Sequence, residues 1–347
     1  MQRAEEILSE EQRIVVIGAS AGGVDALRRV VRDLPADFPA PVCIVLHIPP
    51  DSPSLLAQIL DREGTIPVKT AEHGERYQPR TAYVAPPDRH LLLGRDGTLH
   101  LSRGPRENRA RPSIDPLFRS AAVAAGPRVI AVVLTGSLDD GTAGLFAVKK
   151  QHGIAVVQDP ADALYPSMPQ SALSHVAVDH VAPIAAMGQL LSRLVYEPIP
   201  DIAPEVDRDM DLEARMADLE QDALATDDRP GDPSPYSCPD CGGVLWEIPE
   251  EQFVRYRCRV GHAYSPETML SAQDDMLEEA LWSAVKTLEE SARLSHRLAA
   301  TERQRGHEWL VARFEEKERE ARSRVEVIRR YLLRPSDSTT PQVVSNA

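Results

Sequence analysis

Apolar residues recur through the first 195 positions in short strand-like runs, at Ile14–Ile17, Val42–Leu46, Ala82–Ala85, Val129–Leu134 and Ile154–Gln158. Segments with helical spacing lie between them, among them Asp115–Ala125 and Gly144–Gln151. Strands that alternate with helices predict an α/β fold, a doubly wound and mainly parallel sheet covered on both faces, over residues 13–195. Leu91–Ser102 departs from that rhythm. Two short alternating runs flank Arg95-Asp96-Gly97, which predicts a β-hairpin.

Beyond residue 195 the pattern changes. Residues 197–235 hold 13 acidic and 3 basic residues, with prolines at both ends, which predicts an acidic linker (196–235) or a loose acidic helix. Leu212, Met216 and Leu219 allow a short amphipathic helix there. Residues 236–265 form a small Cys/His module. Residues 266–334 are helical by pattern: Met269, Met276, Ala280, Ala284, Leu288, Leu294 and Leu298, then Trp309, Leu310, Phe314, Val325, Ile328 and Leu332. One long helix and a helical hairpin both fit. Residues 335–347 are expected to be a disordered tail.

Length and charge narrow the function. A chain of 347 residues has room for two or three modules. A formal net charge of −14 argues against a general nucleic-acid binder. No apolar run approaches the roughly 20 residues of a membrane span. The first residues, MQRAEEILSEEQR, lack the apolar core of a secretory signal, so a cytoplasmic protein without direct membrane insertion is expected. Four cysteines do not make a disulfide scaffold.

Three of the strand runs end in chemistry. Val15-Val16-Ile17-Gly18-Ala19-Ser20-Ala21-Gly22-Gly23 reads as strand, tight turn and helix start, with a hydroxyl at the turn. Val42–Leu46 is followed by His47-Ile48-Pro49-Pro50, and Val129–Leu134 by Thr135-Gly136-Ser137-Leu138-Asp139-Asp140-Gly141. Each feature alone has a plainer explanation: a phosphate-binding or ordinary turn for the serine, a packed histidine, an Asp-Gly turn. Together they put Ser, His and Asp at the edge where α/β folds place their sites, the set that acyl transfer needs.

These motifs, with Pro112-Ser113-Ile114-Asp115-Pro116-Leu117-Phe118-Arg119-Ser120-Ala121-Ala122 and Gln158-Asp159-Pro160 followed by Met168-Pro169, come in the order seen in a known family. Residues 13–195 resemble the catalytic domain of the chemotaxis protein-glutamate methylesterases. The resemblance implies Ser20 as nucleophile, His47 as general base and Asp140, rather than Asp139, as its orienter. Backbone amides at Ala21 and Ser137 are candidates for the oxyanion hole. The implied reaction is hydrolysis of glutamyl methyl esters, and glutamine deamidation by the same acyl chemistry, on a methylated chemoreceptor-like helical protein. The enzyme would be the functional counterpart of a receptor methyltransferase and would need no cofactor for catalysis. Ala21, Ser137-Leu138 and Gln170 stand where the family has Thr, Met-Gly and commonly Arg, which bears on rate and substrate range. Only about a dozen residues precede the first strand, so control by aspartyl phosphorylation within this chain is not expected. Rival readings are an esterase on other substrates and a non-catalytic scaffold of a sensory complex.

Cys238-Pro239-Asp240-Cys241 and Cys258-Arg259-Val260-Gly261-His262 are two ligand pairs suited to one closed tetrahedral zinc, with Cys238, Cys241, Cys258 and His262 as ligands of a zinc-ribbon-like module. The alternative is a reduced, buried cysteine cluster. The module is similar to C-terminal extensions of some receiver-less members of the same family. It is expected to be separable, so that chelation would unfold 236–265 and leave the hydrolase working. Arg106, Arg109 and Arg111 are either a solvated face or a docking site for an acidic helical substrate, for which the acidic segment would compete as a lid.

Overall fold

The protein is described by a computed structural model over residues 12–202, 207–221, 223 and 229–333. The tail expected at 335–347 lies outside the described residues. Every strand run read from the pattern is present. β1 (Ile14–Ala19) is apolar throughout and buried, and its side chains alternate between two cores, Ile14 and Val16 in one, Val15, Ile17 and Ala19 in the other. It pairs in parallel with β2 (Val42–Leu46) on one side and β7 (Val129–Val133) on the other. β3 (Val68–Thr70) and β4 (Ala82–Val84) extend the sheet past β2, and β8 (Ile154–Gln158) and β9 (His180–Ala182) extend it past β7. The seven strands run β3-β4-β2-β1-β7-β8-β9, all parallel. The chain thus leaves β1 first to one side and later returns on the other. This makes the carboxyl end of β1 the topological switch point, where open α/β sheets hold their sites.

Helices α1 (Gly23–Asp33), α2 (Leu56–Glu63) and α6 (Ile184–Leu194) cover one face with Leu27, Leu60 and Leu191. The other face carries α3 (Ile114–Ala125), α4 (Thr142–Lys150) and α5 (Ser167–His175), through Phe118, Leu145 and Met168. The hairpin is found as β5 (His90–Leu93) and β6 (Leu99–Ser102), and it adds Leu91, Leu93 and Leu99 to this second core.

The acidic segment is more than a linker. It contains α7 (Arg208–Ala217), capped by the Asp207 side chain, which accepts from the Met210 amide at 3.0 Å. Leu212 and Met216 are buried as expected, but Leu219 is exposed. The decisive residue is Glu213, which is fully buried. It accepts from Arg255 at 2.8 and 2.9 Å and from Arg257 at 2.8 Å, and lies 3.4 Å from Arg119. Glu107 completes the cluster, accepting from Arg119 and from Arg257. Burial by itself would push both carboxyls up; the guanidinium charges outweigh it and hold both below the usual carboxylate range.

Arg255 and Arg257 belong to a second, four-stranded antiparallel sheet, β10 (Asp232–Ser237), β11 (Val244–Pro249), β12 (Val254–Cys258) and β13 (Ala263–Tyr264). This Cys/His sheet and the parallel sheet lie in one compact unit that runs to Leu270.

A second unit begins at Ser271. Of the two helical alternatives the hairpin is present: α8 (Pro266–Arg305) breaks at Gly306, which has φ +76°, before α9 (Glu308–Leu332). His296 pairs with Glu318 at 3.0 Å, and Arg303 with Glu315, as antiparallel helices require. The buried stripe is Val285, Ala292, Ser295 and Ala299 on α8 facing Val311, Ala321 and Val325 on α9. Met276, Leu294, Leu298 and Trp309, which belong to the helical pattern, are exposed. Close helix packing uses the small residues instead. No helix of the described residues is long and apolar enough to cross a membrane.

Breaking a buried ion cluster leaves uncompensated charge. Glu213→Ala is expected to cost roughly 3–5 kcal/mol, read as a lower urea midpoint at unchanged slope. Because both carboxyls titrate below their ordinary value of 4.5, their stabilisation is present above that pH and is lost as pH falls through the lowered range. The variant's unfolding should lose part of that acid dependence.

Candidate active site

Ser20 follows β1 directly. Its amide donates to the Thr135 carbonyl at 3.0 Å, and its carbonyl accepts from the Gly23 amide at 2.8 Å. Gly22 turns the chain into α1 at φ +74°, a left-handed conformation that favours glycine. The β7–α4 loop comes very close: a Cβ on Gly136 would lie 2.9 Å from the Ser20 Cβ and 2.0 Å from the Met168 sulfur. Thr135 Oγ1 ties this loop to the serine turn by donating to the Ala21 carbonyl at 3.0 Å. Among the described residues, no hydrogen bond is made by the backbone amide of Ala21 or of Ser137.

His47 follows β2, and its amide donates to the Ala19 carbonyl at 3.2 Å. Its ring faces Ser20 with Nδ1, 3.1 Å from Oγ, and Asp140 with Nε2, 2.6 Å from Oδ2. The side chain is 21% exposed, against 2% for Asp140. An ionised Asp140 requires the proton on Nε2, which leaves the Nδ1 lone pair directed at the serine hydroxyl.

The surroundings of Asp140 explain why it is ionised. It accepts from Ser113 Oγ at 2.9 Å to each oxygen, from the Ile114 amide at 2.7 Å and from Asn108 Nδ2 at 2.9 Å, besides His47. Ser113 precedes α3, so the carboxylate sits at that helix's positive end. Burial would push the carboxyl up, but the His47 hydrogen bond and charge, with the Ile114 and Asn108 donors, hold it well below the usual range. Asp115 is shifted the other way, well upward, by burial and then by the charge of Asp140. Its Oδ1 accepts the Gly141 and Gly144 amides at 3.0 and 2.6 Å, anchoring the start of α4.

Asp139 points elsewhere. It accepts from Ser265 Oγ at 2.8 Å. Burial, against the Ser265 hydrogen bond, pushes its carboxyl up to about 7, helped by the charges of Glu267 and Asp140. Ser265 and Thr268 cap α8 reciprocally: the Thr268 amide donates to Ser265 Oγ at 3.0 Å and the Ser265 amide to Thr268 Oγ1 at 2.9 Å. A cavity of about 210 Å³ lies here, lined by Asp139, His175, Phe253, Tyr264, Ser265 and Glu267 among others.

The four predicted metal ligands converge. Their donor atoms all lie within 4.8 Å of one another. Cys238 and Cys258 Sγ are 3.7 and 3.5 Å from His262 Nδ1, and Cys241 Sγ is 3.7 Å from Cys258 Sγ. Zinc–sulfur bonds of ~2.3 Å in a tetrahedron give edges of ~3.7 Å, so the donor set fits. Left-handed Gly242 and Gly261 close the two knuckle turns.

Packing bears on two of the expectations. The Cys/His segment packs on the site instead of standing apart from it: the Ala263 amide donates to the Arg106 carbonyl at 3.3 Å, and the Asn108 amide to the Ala263 carbonyl at 2.8 Å. For the same reason, 106–111 is only in part an open basic loop. Its backbone is the strip on which the Cys/His segment docks and Arg111 is engaged by Asp88 at 2.6 Å, whereas the Arg106 and Arg109 side chains are exposed. The docking could not be read from spacing, because Arg106 and Asn108 lie over 150 residues from Ala263. Asn108 and Asp115 were likewise missed as neighbours of Asp140. The motif Ser113-Ile114-Asp115-Pro116 held the signal, a serine cap before a helix start, but nothing in it says which carboxylate it receives.

A serine, a histidine and a buried carboxylate linked at the switch point of a parallel sheet are the geometry of an α/β serine hydrolase. Comparison with known proteins narrows this. Residues 15–191 match the family model described as CheB methylesterase, and the chain belongs to that family. It is 44% identical over 191 residues to the protein-glutamate methylesterase/protein-glutamine glutaminase 1 of Burkholderia pseudomallei, covering 54% of this chain and 52% of the relative. The chain thus spans about half the length of several of the curated relatives it matches. A Leptospira interrogans relative is 41% identical over 180 residues, 52% of this chain and 93% of the relative. The crystal structure of the Thermotoga maritima CheB methylesterase catalytic domain superposes with TM-score 0.52 at 37% identity, covering 54% of this chain and all of that one.

A carboxyl raised from 3.8 to about 7 favours the folded state at low pH, and that contribution is lost as pH rises through the window between them. Asp139→Asn should therefore flatten the decline in stability from pH 4 to 7 and raise the urea midpoint at pH 8 by an equivalent of roughly 2–4 kcal/mol. An unchanged pH profile would mean that Asp139 is solvated.

Proposed function

We propose that the protein is a protein-glutamate methylesterase, and that the same site deamidates glutamine. The observation that carries this reading is the chain of hydrogen bonds Ser20–His47–Asp140, at 3.1 and 2.6 Å, at the carboxyl edge of the sheet. The names of the family and of the Burkholderia relative favour this chemistry.

In the proposed reaction Ser20 Oγ attacks the side-chain carbonyl carbon of a glutamyl methyl ester while His47 Nδ1 takes its proton. The Ala21 and Ser137 amides receive the developing oxyanion; their freedom from other hydrogen bonds supports this role. His47 then protonates the departing methoxide, and methanol leaves an acyl-enzyme. Water, deprotonated by the same nitrogen, attacks the acyl carbon, and Ser20 recovers the proton as the free glutamate departs. Glutamine follows the same path with ammonia as the leaving group. Asp140 holds the ring in the tautomer that leaves Nδ1 basic and offsets its positive charge. The substrate is a methylated, chemoreceptor-like helical protein met in the cytoplasm.

We further propose that Cys238, Cys241, Cys258 and His262 bind a structural zinc. Four closed ligands leave no position for substrate. The pure protein should carry one equivalent of zinc by elemental analysis, and Cys258→Ser should carry almost none.

The test of the enzyme is methanol release from a methylated receptor cytoplasmic fragment. Wild type should release it, and Ser20→Ala should be slower by ~10³-fold or more. Equal release by the mutant would refute Ser20 as nucleophile.

A further inference from the structure

Among the described residues, Asn108 alone hydrogen-bonds both to the carboxylate of Asp140 and to the start of α8. Its Nδ2 donates to Asp140 Oδ1 at 2.9 Å and to Asp115 Oδ2 at 2.7 Å. Its Oδ1 accepts from the Ser265 amide and from Thr268 Oγ1, each at 3.1 Å. Only an amide can do this, since it must donate toward two carboxyls on one side and accept two donors on the other. Aspartate could not donate, and serine could not reach both sides. The backbone at Asn108 has φ +48°, a conformation that asparagine tolerates better than most residues.

The donors on Asn108 are themselves held by the Cys/His segment. His262 immediately precedes Ala263, whose amide and carbonyl both bind the strip at Arg106 and Asn108. Arg257, next to Cys258, donates to the Gly261 carbonyl at 2.9 Å and to Glu107 at 2.8 Å. The knuckle that supplies two of the four ligands and the strip that carries Asn108 are therefore tied together at Arg106, Glu107 and Asn108.

We propose that Asn108 is a positioning residue through which the Cys/His segment and the first turn of α8 hold Asp140, so that occupancy of the Cys/His site by metal sets the reactivity of Ser20. The inference rests on the assignment of Ser20, His47 and Asp140 made above. A bound metal closes the two knuckles; the hydrogen bonds of Ala263, Ser265, Thr268 and Asn108 carry that order to the carboxylate. Without it Asp140 loses a donor and the edge of its cradle loosens. His47 is then less well oriented, while the substrate surface is unaltered.

The full-length protein tests this with three readouts. One is turnover. One is the rate at which a fluorophosphonate labels Ser20. The third is the deshielded proton resonance of the His47 Nε2–Asp140 hydrogen bond, which needs no substrate. Asn108→Ala should lower kcat by ~10-fold or more with KM nearly unchanged, slow labelling in proportion, and broaden or shift the proton. Thr268→Val, which removes one donor to Asn108 and leaves the machinery intact, should do the same to a smaller degree. Stripping zinc from wild type with a chelator should reproduce the Asn108→Ala effect, and zinc(II) should restore it. In Asn108→Ala, chelation should add little, because both changes cut one path. Labelling and the proton resonance unaltered after zinc is lost, or strictly additive effects of chelation and Asn108→Ala, would overturn the coupling. If Ser20→Ala retains activity, the nucleophile assignment fails instead, and the two failures are distinct.

Discussion

A charged carboxylate buried to 2% exposure has to be surrounded by donors, and much of this molecule is arranged around that need. Asp140 receives a histidine, a serine hydroxyl, a helix-end amide and an asparagine amide. The histidine comes from the end of β2, and the other three come from one stretch, residues 108–114, that leads into α3. Holding one ion thus ties the loop after β7 to the end of β2 and to the start of α3. The neighbouring Asp115 shows the other side of the constraint. Two carboxyls this close do not share the charge equally, and the one that faces the imidazole keeps it.

The same logic recurs a short distance away. Glu107 and Glu213, with Glu250 on Arg255, neutralise Arg119, Arg255 and Arg257 in a buried cluster to which α3, α7 and β12 contribute. That cluster joins the parallel sheet, the acidic segment and the Cys/His sheet into one body. Glu107 is adjacent to Asn108, so the charge cluster and the carboxylate cradle meet in consecutive residues. Hydrophobic packing builds the two faces of the large sheet, but ionic contacts attach the later segments to it.

Much of the α/β fold was legible because it is local. Apolar runs such as Val129–Leu134 announce themselves, and a glycine-flanked serine or an Asp-Gly loop at the end of such a run points to the sheet edge. The three-residue strands β3 and β9 carry too few positions to make a pattern. Ser20 and His47 stood out because each directly follows a strand, and strand ends converge in a parallel sheet; the loop after β7 offers two aspartates, and the family resemblance, not the spacing, singled out Asp140. Their mutual distances could not be read, nor could the cradle. Ser113 and Asn108 look like ordinary turn residues until Asp140 folds against them. Glu213 was one acid among many in a segment whose composition suggests solvation. What singles it out is the arrival of Arg255 and Arg257 from a different sheet. In the helical hairpin, hydrophobicity favoured Met276 and Leu294, whereas geometry favoured Ala292 and Ala299.

The hydrogen bond between Asn108 and the Ser265 amide joins residues 157 positions apart. During synthesis the chain emerges at roughly 5–20 residues per second, amino end first. Ser20, His47 and Asp140 are all outside the ribosome well before Ser265 is made. The parallel sheet can form in that interval, and with it a nucleophile, yet the last support of its carboxylate is still to come. A nascent or prematurely ended chain would therefore fold the sheet with its acid incompletely held, and the finished site would appear only when synthesis passes the first turn of α8.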